Sequence, residues 1–201
     1  YPGELVKPGD IMYKDLNGDG KIDDYDKSYI NDGDLPSTYY GFGGDLRWKN
    51  IGLGILFQGT AGAHRMLSGS GINPFTSSSG GGTLYANITD RWSEDNPEKT
   101  DVFYPRLAWG AKDPSNENNY QPSTWWLRDM SFLRLKQFTI SYYFPKAWSK
   151  GGIIKGGRFY FMGQNVLTFS KFKLWDPELN TSNGISYPNV RTFSVGVNFN
   201  L

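Results

Sequence analysis

The sequence predicts an all-β fold, an antiparallel transmembrane β-barrel fragment, and three observations favour it. Several segments alternate strictly between apolar and polar residues, as strands with a single apolar face do. Aromatic residues make up 16 % of the chain while apolar residues make up only 38 %, a balance typical of barrels, whose apolar side chains lie on one face. Short and long connections also follow one another in turn, as the turns and outer loops of barrels do.

The elements are predicted in order along the chain. Residues 1–38, rich in Pro, Gly and Asp, are predicted to form an extracellular loop. A hairpin follows, because two alternating segments flank the dipeptide Lys49-Asn50. Five strands are predicted, at about residues 39–48, 51–59, 131–144, 158–169 and 191–201, with extracellular loops at residues 60–130 and 170–190, which show no sustained period.

The third predicted strand changes phase near Lys136. Phe138 and Ile140 share one parity, whereas Leu133 and Leu135 have the other. Two explanations stay open at this point: a β-bulge, or a strand that continues above the bilayer, where sidedness no longer matters.

The last segment alternates most regularly, with apolar residues at every second position from Phe193 onward. The spacing of Ser194, Gly196, Phe199 and Leu201 resembles the C-terminal signal by which outer-membrane barrels are recognised for assembly. A strand of a soluble β-sandwich has the same period, so a secreted, calcium-stabilised carbohydrate-binding or adhesion module is the alternative.

Bulk properties narrow the function classes. The formal net charge is +1, so nothing indicates a nucleic-acid partner. The chain has no cysteine, one histidine and no nucleophile elbow, and we therefore expect no enzyme and no catalytic cofactor. Five strands cannot close a single-chain barrel, which needs about eight, and the chain starts without Met. We therefore expect a C-terminal fragment of a larger barrel.

An acidic loop at residues 15–26 matches the spacing of an EF-hand calcium loop. Gly20 stands at the position of the sharp turn. The predicted ligands are Asp15, Asn17, Asp19, Lys21 through its carbonyl oxygen, Asp23 and Asp26. Asp26 replaces the usual bidentate Glu, which predicts modest affinity for a structural Ca²⁺. The alternative is an Asx-rich surface turn without metal.

Several segments, in the same order, resemble the C-terminal part of the SusC/RagA family, the TonB-dependent outer-membrane transporters of Bacteroidetes. The first is Pro8-Gly-Asp-Ile-Met-Tyr-Lys-Asp-Leu-Asn-Gly-Asp-Gly-Lys-Ile-Asp23. The others are residues 38–42, 57–59, 91–93, 104–107, 126–136, 163–172, 176–178, 187–188 and 191–194. They are distributed along nearly the whole chain, from residue 8 to residue 194.

This resemblance implies a barrel of about 22 strands in the Gram-negative outer membrane, in contact with its lipid and occluded by an N-terminal plug. It implies a SusD-like surface lipoprotein as partner. Energy coupling through the TonB–ExbB–ExbD complex would use N-terminal parts that are not in this sequence. The family imports mostly glycans, and peptides in some members.

Aromatic residues of the predicted loops are candidates for contact with ligand or partner, because aromatic rings pack well against the C–H surfaces of sugars. They are Trp109, Tyr120, Trp125, Trp126 and Trp175; packing between loops is the alternative that we favour for each. Arg128, Arg134 and Lys136 could line the passage, although ion-paired structural roles are favoured. Asp176 and Glu178 are interpreted as parts of a loop turn, because neighbours in sequence do not give the facing carboxylates that a glycosidase needs.

Overall fold

A computed structural model describes residues 6–30, 33–75, 84, 86–110, 112–145, 153 and 155–200. The chain divides into two compact units. The first, here called the sheet unit, comprises Asp32–His64, Asp129–Asn180 and Ser186–Leu201. The second, here called the loop unit, comprises Tyr1–Asn31, Arg65–Arg128 and Thr181–Ile185.

Most of the regular secondary structure of the described residues is antiparallel β-structure. The strands are β1 (Thr38–Trp48), β2 (Ile51–Ala61), β3 (His64–Met66), β4 (Leu127–Asp129), β5 (Phe132–Tyr143), β6 (Gly156–Ser170) and β7 (Thr192–Asn200). Five of them form one sheet in the order β1-β2-β5-β6-β7, and each pairs antiparallel with its neighbour. The sheet is open at β1 and β7. The predicted fold class, an all-β barrel fragment, is confirmed.

One face of this sheet is apolar on all five strands. Residues that oppose each other across antiparallel strands point to the same face. One row across the sheet consists of Trp48, Ile51, Tyr142, Phe159 and Val197, and every member is exposed by 42 % or more. A soluble sandwich would bury such a row beneath a second sheet, so this exposed face does not fit the soluble alternative.

The opposite face carries polar and small residues. The row next to the one above consists of Arg47, Gly52, Ser141, Tyr160 and Gly196. Glycine is required at the last position, because a Cβ there would lie 2.4 Å from the ring of Tyr160. The sheet therefore has one apolar face and one polar face, as the wall of a membrane barrel does.

A β-bulge in β5 keeps the apolar residues before and after it on the same face of the sheet. Leu56 opposes Gln137 and Phe57 opposes Leu135, so Lys136 is an extra residue with no counterpart on β2. Leu135 and Phe138 therefore stay on the same face despite their different parity. Of the two explanations for the phase change near Lys136, the bulge is confirmed.

The loop unit packs around large buried side chains. Ile72, Tyr104 and Trp126 are each at most 1 % exposed. Its regular elements are short: helix α1 (Pro114–Asn119) and 3₁₀ turns at Asp24–Asp26 and Ala86–Thr89. The described part of residues 60–130, which the sequence predicts to be a loop, is thus largely packed. In the described residues no helix has the length and apolar character needed to cross a membrane.

A polar network joins the start of the loop unit to α1. The Ile11 N–H donates to Asn119 Oδ1 at 2.8 Å, and Asn118 Nδ2 donates to the Ile11 carbonyl oxygen at 2.9 Å. Asn119 is fully buried, and it also donates to Asp10 Oδ1 at 2.9 Å. Burial alone would raise the pKa of Asp10, but hydrogen bonds from Lys7, Asn119, Ser115 and Arg106 lower it below its usual value.

Candidate functional site

The polar face of the sheet contains a groove of about 430 Å³. Its floor is formed in part by Gly52 and Gly54, which have no side chain to fill the space. The guanidinium carbon of Arg47 lies 3.8 Å from the ring centroid of Tyr143, so this cation is held against the sheet by a cation–π contact. Polar atoms and fixed cations along a groove suit the passage of a hydrated solute.

The predicted assembly signal lies partly within β7. Ser194 opposes Met162, and Gly196 opposes Tyr160, whose ring fills the space above it. Phe199 is on the apolar face and is 56 % exposed. Leu201 lies outside the described residues. Ser194, Gly196 and Phe199 are part of β7, and recognition for assembly stays a prediction.

Three of the five aromatic candidates are engaged inside the loop unit. Trp126 is 1 % exposed, and its Nε1 donates to the Asn119 carbonyl oxygen at 2.7 Å, so a ligand has no access to its ring. Trp125 Nε1 donates to the Phe103 carbonyl oxygen at 3.0 Å. The Tyr120 ring lies 5.5 Å from that of Trp126, and burial raises the pKa of Tyr120. In the structure, these three aromatic residues therefore pack within the loops, which is the alternative that we favour for them.

Trp109 and Trp175 differ in their exposure. Trp109 is 68 % exposed, and its ring packs against Phe75 with centroids 4.9 Å apart. Trp175 is half-buried and meets the ring of Phe172 edge-on, with centroids 4.8 Å apart. Of the five candidates, Trp109 presents the most accessible ring.

The acidic loop is closed by its own hydrogen bonds. Asp15 accepts from the N–H groups of Gly18 at 2.6 Å and Gly20 at 2.8 Å, and both glycines have positive φ, which favours glycine. Asn17 Oδ1 accepts from the Asp19 N–H, and Asp19 Oδ1 from the Lys21 N–H. These side-chain-to-backbone bonds are of the Asx-turn type.

The last predicted ligand is occupied by backbone donors. Asp26 accepts from the Leu16 N–H at 2.7 Å and from the Asp23 N–H at 2.8 Å. The Asp23 hydrogen bond, followed by that of Leu16, lowers the pKa of Asp26. Within the described ranges, no three His, Cys, Asp or Glu side chains are grouped so that they could hold a metal ion. A bound ion would have to share the oxygens of Asp26 with these backbone donors.

The basic residues near β5 have different surroundings. Arg134 is 1 % exposed and forms ion pairs with Asp176 and Glu178. Arg128, from β4, donates to the Trp125 carbonyl oxygen and lies 5.3 Å from the ring centroid of Phe103. An ion-paired Arg134 and a turn at residues 176–178 are both expected from the sequence. No sequence signal indicates that the two features meet, because 42 residues separate Arg134 from Asp176.

Comparison with known proteins supplies the family. No family model matches the chain. The chain is 31 % identical over 95 % of its length to the TonB-dependent receptor P3 of Formosa agariphila. It is 28 % identical over 96 % of its length to the TonB-dependent receptor SusC of Bacteroides thetaiotaomicron. It spans 19 % and 18 % of the lengths of these two relatives.

A solved structure of the RagAB peptide importer in its closed-closed state is similar in fold and in sequence. The similarity covers 90 % of this chain and 20 % of the matched chain, with a TM-score of 0.66 and 26 % sequence identity. The predicted resemblance and the predicted outer-membrane location are thereby confirmed. Over nearly its whole length, the chain belongs to the SusC/RagA type of TonB-dependent receptors, which are outer-membrane β-barrel proteins.

Proposed function

We propose that the chain contributes wall strands and outer loops to an active transporter that imports large nutrients across the outer membrane. The observation that carries this proposal is the apolar row of Trp48, Ile51, Tyr142, Phe159 and Val197, which crosses five strands and stays exposed. Lipid is the solvent that such a face fits. The polar face opposite, with its glycine-floored groove, suits a water-filled passage.

The relatives support the partners of this proposal. TonB-dependent receptors are named for their dependence on TonB, and we propose that the TonB–ExbB–ExbD complex energises import through parts of the protein outside this sequence. We propose a SusD-like surface lipoprotein as the second partner. Oligosaccharides are the proposed substrates, and the similarity to a peptide importer makes peptides the second candidate.

The transport proposal is tested in the native host. The gene for the complete receptor is deleted, and growth is measured on single glycans and on peptides as nutrients. We expect growth on one class to fail, to return on complementation, and to fail equally when TonB is removed. Normal growth of the deletion strain on every nutrient, together with unchanged uptake of labelled oligosaccharides and peptides, would contradict the proposal.

Trp109 is the proposed ligand contact of the loop unit. Its exposed ring, supported from one side by Phe75, resembles the flat platforms on which sugar rings stack. Trp109→Ala is expected to raise the KM of uptake about tenfold, the equivalent of one lost stacking contact, without changing receptor abundance. Tyr29→Ala, at a residue of the loop unit that is 97 % exposed, is the control. Equal KM values for the parent and Trp109→Ala would contradict a contact between Trp109 and the ligand.

Calcium is a separate proposal for the acidic loop. The alternating oxygens of Asp15, Asn17 and Asp19 support it by their spacing, while the hydrogen bonds on Asp26 argue for weak binding. Calorimetric titration of the complete receptor is expected to detect one binding event that the double variant Asp15→Ala/Asp19→Ala lacks. Absence of heat in the parent receptor would refute calcium and leave the Asx-turn reading.

A further inference from the structure

The segment that joins β6 to β7 is tied to the polar face of the sheet through a buried arginine. Arg134 lies on β5 and opposes Gln58 of β2 and Thr168 of β6, so its side chain shares the polar face with theirs. The side chain is nevertheless only 1 % exposed. An arginine on a solvated face keeps its guanidinium in water, and other residues must therefore cover this one.

The cover is the tight turn at residues 176–179. The Leu179 N–H donates to the Asp176 carbonyl oxygen at 3.0 Å, and the Glu178 N–H donates to Asp176 Oδ1 at 3.0 Å. These bonds close the turn and direct both of its carboxylates to one guanidinium. Arg134 Nη2 donates to Asp176 Oδ1, and Arg134 Nη1 donates to Glu178 Oε2 at 2.9 Å. One planar cation thus binds two anions through separate donors.

Further contacts hold the same segment on either side of the turn. Asn189 Nδ2 donates to Glu178 Oε2 at 2.8 Å, which ties the end of the segment to the turn. Near its start, buried Phe172 packs edge-on against Trp175. The ring centroid of Phe132 lies 5.1 Å from the guanidinium carbon of Arg134. The ion pairs of Asp176 and Glu178 thus tie the turn to Arg134, and the bond from Asn189 links the end of the segment to that turn.

The charges make the arrangement depend on Arg134. The turn brings two carboxylates to one cation, so removal of the cation leaves two like charges together without a counter-ion. Like charges in partly buried surroundings repel, and each has also lost a charge-assisted hydrogen bond. Removing all three charges at once also removes this repulsion. A variant of this kind therefore distinguishes the effect of the charges from the effect of lost side-chain packing.

We propose that Arg134 is a positioning residue that holds residues 171–180 of the β6–β7 segment, which belong to the sheet unit, over the polar face, where they narrow the transport passage. Trp175 lies within these residues, so its orientation depends on the ion pairs of Arg134 with Asp176 and Glu178. The proposal rests on the proposed function, because the polar face borders a passage only if the sheet is part of a barrel wall.

The first test is limited trypsin digestion of the complete receptor in detergent. The exposed residues Lys171 and Lys173 lie at the start of the segment. Arg134→Met is expected to raise the cleavage rate at these lysines about tenfold, because proteolysis follows the population of the open segment. Arg134→Lys should give an intermediate rate, since an ammonium lacks the fork that binds two carboxylates. The triple variant Arg134→Met/Asp176→Asn/Glu178→Gln should return toward the parent rate.

The second readout is the access of a bulky, water-soluble thiol reagent to a single cysteine introduced at Thr139, in the groove of the polar face. Release of the segment is expected to raise the labelling rate for Arg134→Met and to leave it unchanged for Arg158→Met. The latter removes an arginine of the polar face outside the cluster. If Arg134→Met fails to fold in the membrane, Asp176→Asn/Glu178→Gln replaces it, because it releases the turn while the strand stays intact.

The outcomes separate the parts of the proposal. Parent-like cleavage in a folded Arg134→Met receptor would overturn the positioning role. Faster cleavage with an unchanged labelling rate at the Thr139→Cys position would overturn the narrowing of the passage. Loss of the transport proposal would show in the uptake experiments and would not alter the trypsin result.

Discussion

The sheet unit and the loop unit are each stabilised by a different kind of interaction. In the sheet unit, an antiparallel hydrogen-bond ladder joins five strands while apolar side chains stay exposed, and β1 contains no buried residue. In the loop unit, large side chains are buried, and polar side chains bond to backbone groups far away in sequence, as Asn119 does to Ile11 across 108 residues. The first unit therefore depends on strand register, and the second on a few buried polar atoms.

Deletion of Lys136 should have the largest effect, because it attacks register. Without this residue, the part of β5 before the bulge changes parity, so Leu133 and Leu135 move to the polar face and Arg134 moves to the apolar face. We expect no folded receptor in the outer membrane, measured by heat-modifiable migration on gels. Lys136→Ala keeps the bulge and is the control. Normal assembly of the deletion variant would contradict the assigned register.

Asn119→Ala should be the most damaging single substitution in the loop unit. It removes the acceptor of the buried Ile11 N–H and the partly buried donor to Asp10, and we expect a cost of about 3–5 kcal/mol. Hydrogen–deuterium exchange should show lost protection in residues 104–119, with β5 and β6 still protected. Gln121→Ala, at a residue near the end of α1, is the control. Equal loss of protection in both units would mean that they do not differ as described.

Asp10 makes the loop unit sensitive to acid. Hydrogen bonds lower its pKa in the folded state, so the ionised carboxylate stabilises the fold. This stabilisation is present above the unfolded pKa of about 3.9 and is lost as the pH falls through the lower folded value. Asp10→Asn is expected to cost about 2 kcal/mol at neutral pH and to flatten the loss of protection below about pH 4. An unchanged pH profile in the variant would exclude Asp10 as the group responsible.

A smaller effect is expected at Gly163, which tests packing on the apolar face. A Cβ there would lie 2.3 Å from the ring of Phe138, whereas a Cβ on Gly44 would have no neighbour within 4 Å. We expect Gly163→Ala to cost about 1–3 kcal/mol in chemical unfolding and Gly44→Ala to cost much less. Equal effects would indicate that Phe138 has room to move aside.

The sequence predicts the sheet unit well because its information is local. Alternation marks each strand, and the phase change at Lys136 corresponds to the observed bulge. The extra residues at the start of β6, Gly156 and Gly157, carry no side chains and leave no alternating signal. Strand ends of this kind are set by pairing with β7, which a single segment cannot reveal.

The contacts of the loop unit, and those of Arg134 with Asp176 and Glu178, could not be predicted from the sequence for a physical reason. Their contacts join residues 42 to 109 positions apart, and they use single polar side chains rather than a repeated pattern. Trp126 illustrates the consequence: as an aromatic residue in a predicted loop it suggests a ligand contact, yet it is 1 % exposed. Where the sequence shows no regular alternation of apolar and polar residues, it does not indicate whether an aromatic side chain is buried or exposed.

Site-directed spin labelling of β7 tests the central claim, that one face of the sheet meets lipid and the other lines the passage. The chain contains no cysteine, so single cysteines can be introduced at Thr192, Phe193, Ser194 and Val195 of the complete receptor in lipid bilayers. We predict high access of oxygen at Phe193 and Val195 and high access of a water-soluble nickel reagent at Thr192 and Ser194. Equal access at all four positions, or the reverse alternation, would contradict the account.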